Sequence, residues 1–178
     1  MATTFEQVSA IFAAEDIKFD PNEEHTVLRT VWMRGNDPVT LLVLLIEDGE
    51  LVQLRVPGLL SATDETKKPL LFRAMLQMAY EIRLVQFEYD PGDGEVCTCI
   101  DIALEDNDLT REQLLRCCAV LLDVSFIARD RLEAILETGR DPALESADIG
   151  SEEAEHRQSQ LDAMMELSRL MKSSRGDA

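Results

Sequence analysis

The chain has 178 residues, 46% of them apolar, with 17 basic against 35 acidic side chains and a formal charge of −18. That length suits one domain with room for a tail, and the charge excludes nucleic acid and anionic lipid as ligands, because both call for clustered Lys and Arg. The longest apolar run, VTLLVLLI at 39–46, falls far short of the ~20 residues that carry a helix across a bilayer.

Thr4-Phe5-Glu6-Gln7 has the form of a capping box, in which Thr and Gln side chains satisfy free N–H groups at a helix start. Phe5, Val8, Ile11 and Phe12 then recur at helical spacing, predicting a first helix to about Lys18 that FDPNEEH breaks. Three strands follow: HTVLRTVWMR, then VTLLVLLI after a GNDP turn, then LVQLRV up to Pro57-Gly58. Asp48-Gly49 between the last two predicts a two-residue type I′ hairpin, which needs positive φ at both positions. DETKKPLLFRAMLQMAYEI predicts a second helix, apolar around most of its circumference except near Arg73 and Gln77. RLVQFEYD and EVCTCIDIAL form a second hairpin across PGDG. Thr110 and Gln113 open a last helix with another capping box, and Gly139 and Pro142 end it. Some 28 residues would run ~42 Å, far enough for the distal end to project beyond the sheet.

Strand periodicity assigns the two faces of this sheet. The hairpin register places Leu45 opposite Val52 and Val43 opposite Leu54, so Val39, Leu41, Val43, Leu45, Val52, Leu54 and Val56 share one wholly apolar face, the core. On the other face Leu42, Leu44, Ile46 and Leu51 lie beside Gln53 and Arg55. Such a row calls for a cover. In EVCTCIDIAL the set Val96, Thr98, Ile100, Ile102 and Leu104 matches the core side, which turns Cys97 and Cys99 to the mixed face. Cys117 and Cys118 diverge around the last helix. The two pairs lie on opposite sides of the sheet and cannot share one tetrahedral zinc, so the thiols read as small packing residues, with a redox role of Cys97 or Cys99 left open.

Catalytic signatures are missing. The two histidines, His25 and His156, stand at a strand start and in the tail, and no nucleophile elbow, phosphate-binding loop or dinucleotide fingerprint occurs. EDNDLTRE has Arg111 where a calcium loop needs Gly and Cys117 where it needs Glu; its carboxylates suit a helix start. No cofactor, metal site or catalytic residue is expected.

Residues 1–139 hold 12 of the basic and 26 of the acidic residues, so the acidity belongs to the body rather than to the tail. The division expected is a domain at 1–140 and, at 141–178, a flexible acidic linker with a short amphipathic helix at 159–172 bearing Met164 and Met165, which docks on the body or on a partner. The N-terminus MATTFEQVSAIFAAED has no basic region ahead of an apolar one, so a cytoplasmic protein with reduced thiols is expected.

The element order α-βββ-α-ββ-α, with LLFRAMLQMAYEIRLVQFEYDPGDGEVCTCIDIALEDNDLTREQLLRCCAVLLDVSF as its most telling segment, resembles YbjN-domain proteins and class I type III secretion chaperones over about residues 4–138. LQMAYEI departs from it, where that family often ends the helix in Asn. The resemblance implies an α+β fold, an antiparallel sheet packed by helices, in an acidic, dimeric, non-catalytic protein-binding domain whose second helix helps form the dimer. The expected partner surface is Leu42, Leu44, Ile46 and Leu51, with Leu71 and Met75 of the second helix and Met164 and Met165 of the tail. The alternative reading is a sensory domain holding a small molecule between the sheet and the long helix.

Overall fold

The computed structural model describes residues 2–105 and 107–145. Contacts group Met1–Arg140 as one unit and Asp141–Ala178 as another. In the second, the described residues form one short helix, Pro142–Glu145, opened by the Asp141 carboxylate accepting from the Ala143 N–H. The expected helix at 159–172 lies outside the described residues. The first unit holds the sheet and the longer helices.

Helix α1 spans Phe5–Ala14, and both halves of the Thr4–Gln7 capping box are formed. It stops four residues before the expected end. Asp16 turns left-handed (φ 56), so that the Ile17 N–H reaches back to the Phe12 carbonyl and the Asp16 N–H to that of Ala13, the paired bonds of a Schellman ending. The expected break at FDPNEEH contains an unforeseen edge strand, β1 (Asp20–Asn22), followed by one 3₁₀ turn capped by Asn22.

Strands β2 (Val27–Arg34), β3 (Asp37–Ile46) and β4 (Leu51–Ser61) form an antiparallel meander. Helix α2 (Lys68–Glu81), the hairpin β5 (Gln86–Tyr89) and β6 (Glu95–Ala103), and helix α3 (Arg111–Thr138) complete the unit. The sheet is a six-stranded antiparallel one in the order β1-β2-β3-β4-β6-β5. The fold is α+β, as expected, with one strand more.

The hairpin register is the expected one: Leu45 pairs with Val52 and Val43 with Leu54. All seven residues of the predicted core row are buried, and so are Leu114, Cys118, Leu121, Ser125, Ala128, Leu132 and Ile135 along α3. Leu132 and Ile135 are fully enclosed, and Lys67 Nζ donates to the Leu136 carbonyl. The distal end of α3 therefore packs against the start of α2 instead of projecting. Between sheet and helix the Thr98 and Ser125 hydroxyls meet at 2.6 Å. Since Ser125 donates its hydrogen to the Leu121 carbonyl, Thr98 is the donor to Ser125.

Strand β4 continues past Pro57-Gly58, where the sequence suggests an end. Proline breaks the ladder by lacking an N–H; Gly58 takes φ 58 and donates to Glu95 Oε1 at 2.7 Å. Pairing then resumes in a shifted register at Leu60 with Val96. A carboxylate stands in for a missing strand partner.

The Asp48-Gly49 turn is clamped from outside. Glu47, Asp48 and Gly49 all have positive φ (53, 55 and 91), and Glu50 donates to the Glu47 carbonyl. Thr3 lies on the turn: its N–H donates to Gly49 O, and its hydroxyl accepts from the Leu109 N–H just before α3. A β-carbon on Gly49 would stand 2.0 Å from the Thr3 carbonyl oxygen. Gly49→Ala should therefore cost about 2–4 kcal/mol in urea unfolding, through both clash and backbone strain. Gly139→Ala, at φ +72 with open space around it, should cost only about 1 kcal/mol. Equal losses for the two variants would disprove the clamp.

Candidate functional site: the outer face of the sheet

Helices α1, α2 and α3 all bury side chains in one core cluster, shared with the Val43–Leu54 face of the sheet. The opposite face of β2, β3 and β4 carries Val27, Leu42, Leu44, Ile46 and Leu51. Each of these is half-buried by its strand neighbours, and none belongs to the core cluster or packs against it. Val31 and Met33 extend the row along β2 at 46% and 59% exposure. Among the described residues of this unit, no helix lies over the row.

The other half of the same face, on β4, β6 and β5, is polar and self-satisfied. Gln53 and Gln86 both donate to Asp101, at 2.8 and 3.4 Å. Arg55 pairs with Glu88 at 2.5 Å and approaches Glu95 at 3.9 Å. Beneath these groups lie Cys97 and Cys99, 1% and 0% exposed. Burial pushes both thiols up to about 12; for Cys97 the nearby Arg55 works in the opposite direction without prevailing. Burial also works against the Glu88 carboxylate, but donation from Cys97, Cys99 and Arg55 outweighs it and holds Glu88 below the ordinary 4.5. Cys117 and Cys118 belong to the core cluster on the other side of the sheet. All four thiols are free. Among the described residues no three potential metal ligands converge.

The expected partner residues thus separate. Leu42, Leu44, Ile46 and Leu51 stand together on the outer face. Leu71 and Met75 are 0% and 6% exposed and face the core beneath α2, where a partner reaches neither without opening the fold. Met164 and Met165 lie outside the described residues. What periodicity did not single out is the outward side of α2: Leu76 at 73% and Tyr80 at 92% exposure, continued by Leu84 at 57%. Arg73 and Arg83, exposed nearby, have no ionic partner among the described residues. The signal was present in the wide apolar arc of this helix, but a wide arc does not reveal which part turns inward.

The place suggested for a small molecule, between sheet and α3, is closed at the Thr98–Ser125 contact. A shallow cleft of about 290 Å³ opens elsewhere, at the β4 bulge, lined by Gly58, Leu60, Ser61, Asp93 and Glu95.

No protein-family model matches this chain, and no curated protein matches it by sequence. Solved structures do. YbjN from E. coli aligns over 77% of this chain and 94% of its own, with a TM-score of 0.57 and 11% identity. A chain of the HopA1–SchA chaperone–effector complex aligns over 71% of this chain and 94% of its own, at TM-score 0.50 and 17% identity. A chain of the ExsC–ExsE complex covers 73% of this one and 96% of itself, at TM-score 0.50 and 18% identity. The fold is that of YbjN and the type III secretion chaperones.

Two measurements check the polar half of the face. Because burial raises both thiols and closes them to solvent, Cys97 and Cys99 should react with a disulfide reagent at pH 8 at least about tenfold more slowly than free cysteine, and normally in denaturant; fast labelling of the native protein would contradict their burial. Glu88 has a lowered pKa, so its stabilisation is present above pH 4.5 and is lost as pH falls through the depressed value. The stability gap between wild type and Glu88→Gln should therefore close on acidification, and a gap independent of pH would refute the pairing.

Proposed function

We propose that this chain is a non-catalytic, chaperone-like protein-binding module that receives a segment of a partner protein on the outer face of β2–β4. The observation that carries this reading is the row Leu42, Leu44, Ile46 and Leu51, apolar yet uncovered by any described helix of its own unit. A soluble domain rarely leaves such a row to water unless something binds there. Covering four side chains already half-buried by their neighbours is worth about 3–6 kcal/mol before association costs, enough to organise an interface. The fold is used in a chaperone–effector complex by HopA1–SchA, which supports the reading without naming a client.

The same proposal assigns dimerisation to α2. Leu76, Tyr80 and Leu84 form an exposed apolar patch, and a second copy would shield it. The binding domain is taken as 1–140 and 141–178 as an appendage, with Met164 and Met165 as further contacts, acting in the cytoplasm.

Affinity purification from the native host followed by mass spectrometry, comparing wild type with Leu44→Asp, tests the binding face. Specific partners should be lost from the variant while its melting temperature stays within a few degrees of wild type; identical recoveries from both would defeat the proposal. Sedimentation at high micromolar concentration should show a dimer for wild type and a monomer for Leu76→Asp/Tyr80→Asp. A monomeric wild type would remove the dimer.

A further inference from the structure

The apolar row runs out, at one end of the sheet, into a border of uniform charge. Ile46 pairs with Leu51, and Leu51 with Ala103, so the β1–β2 connection, the β3–β4 turn and the end of β6 lie side by side. Two bonds tie them together: Leu45 N–H to Thr26 O at 3.0 Å and Leu104 N–H to Glu50 O at 2.8 Å. The segments concerned, DPNEEHT, IEDGEL and ALEDND, contain no Lys or Arg. Glu23, Glu24, Glu47, Asp48, Glu50, Glu105 and Asp108 are exposed there, and none takes part in an ion pair among the described residues. Asp101, on the face itself beside Gln53, has only amide donors. Other carboxylates do face arginines: Asp20, at the start of the first of these segments, pairs with Arg29, and Glu88, Glu95 and Asp37 have arginine partners as well. Among the described residues, carboxylates outside any ion pair also occur elsewhere, Glu81, Asp90, Asp93, Glu133 and Glu137 among them; what marks this border is that seven of them lie on adjoining segments that hold no Lys or Arg.

From this geometry we infer that the occupant of the outer face is a cationic amphipathic helix of a partner protein, a conclusion that rests on the protein-binding reading above. Its apolar side lies on Leu42, Leu44, Ile46 and Leu51, and its Lys or Arg side chains reach the carboxylates at the strand ends. A helix is indicated because β3 is paired on both sides from Leu42 to Leu44. The face therefore offers side chains and no free backbone groups, and its occupant must satisfy its own N–H and C=O groups. The five residues of strand from Leu42 to Ile46 span ~13 Å, about two and a half helical turns. Positive charge is indicated by complementarity, which a second copy of this chain, at −18, does not offer: copies packed face to face would bring two carboxylate borders together. Anionic membranes and nucleic acids are repelled for the same reason.

Three labelled model peptides, each about four turns long, test this against the full chain by fluorescence anisotropy: one with a leucine face and lysines elsewhere, one with glutamates replacing the lysines, and one with alanines replacing the leucines. The leucine–lysine peptide should bind at least about tenfold more tightly than the other two, gain helicity on binding, and weaken as salt rises. Leu44→Gln and the triple variant Glu47→Gln/Asp48→Asn/Glu50→Gln should each reduce that binding about tenfold, with melting temperatures showing that both remain folded. Equal binding of the leucine–glutamate peptide, or an unaffected triple variant, would overturn the cationic partner while leaving the protein-binding face standing. Equal binding of the alanine–lysine peptide together with an unaffected Leu44→Gln would overturn both. Binding without gain of helicity would overturn the helix.

Discussion

A single hairpin turn decides what this sheet shows to the outside. Strand side chains alternate with a period of two, so the pairing of Val43 with Leu54 determines the side on which every residue of β3 and β4 stands. Three successive positive φ values at Glu47, Asp48 and Gly49 make that turn costly to form, and Thr3 holds it from outside while accepting the first free N–H ahead of α3. The N-terminal segment, the central hairpin and the long helix therefore meet at one residue. The lack of a β-carbon at position 49 is what lets the Thr3 backbone come so close.

With the register held there, the two faces have different fates. One receives three helices and becomes the core. The other divides along β4. Toward β5 and β6, Arg55, Glu88, Asp101 and two glutamines satisfy one another above two buried thiols. Toward β2 and β3, Leu42 lies between Arg29 and Arg55 and Leu44 between Val27 and Gln53, and the apolar side chains stay only half-covered. Polar groups that complete their own network have little to gain from a partner, whereas half-covered apolar groups still lose water when covered. The asymmetry locates the candidate site more firmly than exposure alone, because Leu42 and Leu44 are less exposed than Tyr80.

Local signals were legible where the chemistry is local. Both capping boxes, the Gly139 stop, the Asp48-Gly49 turn and the α3 stripe are visible in the sequence because each rests on residues within a few positions of one another. The departures share a different cause. β1 is a strand only because β2 lies beside it, and β4 survives Pro57-Gly58 only because Glu95, far along the chain, accepts the Gly58 N–H. Leu71 and Met75 belong to the core rather than to the partner surface, and an arc that is apolar on most sides carries no mark of which side the core will claim.

By itself, then, the sequence determined the element order, the parity of the central strands, the absence of recognisable catalytic motifs and the excess of negative charge. Each of these follows from neighbouring residues or from composition. Only the tertiary structure decided that α2 turns Leu76 and Tyr80 outward, that Cys97 and Cys99 are sealed beneath an Arg55–Glu88 pair, and that carboxylates from three separate segments gather beside Ile46 and Leu51. Those facts depend on which distant stretches of chain come to lie together, and one-dimensional periodicity holds no information about that.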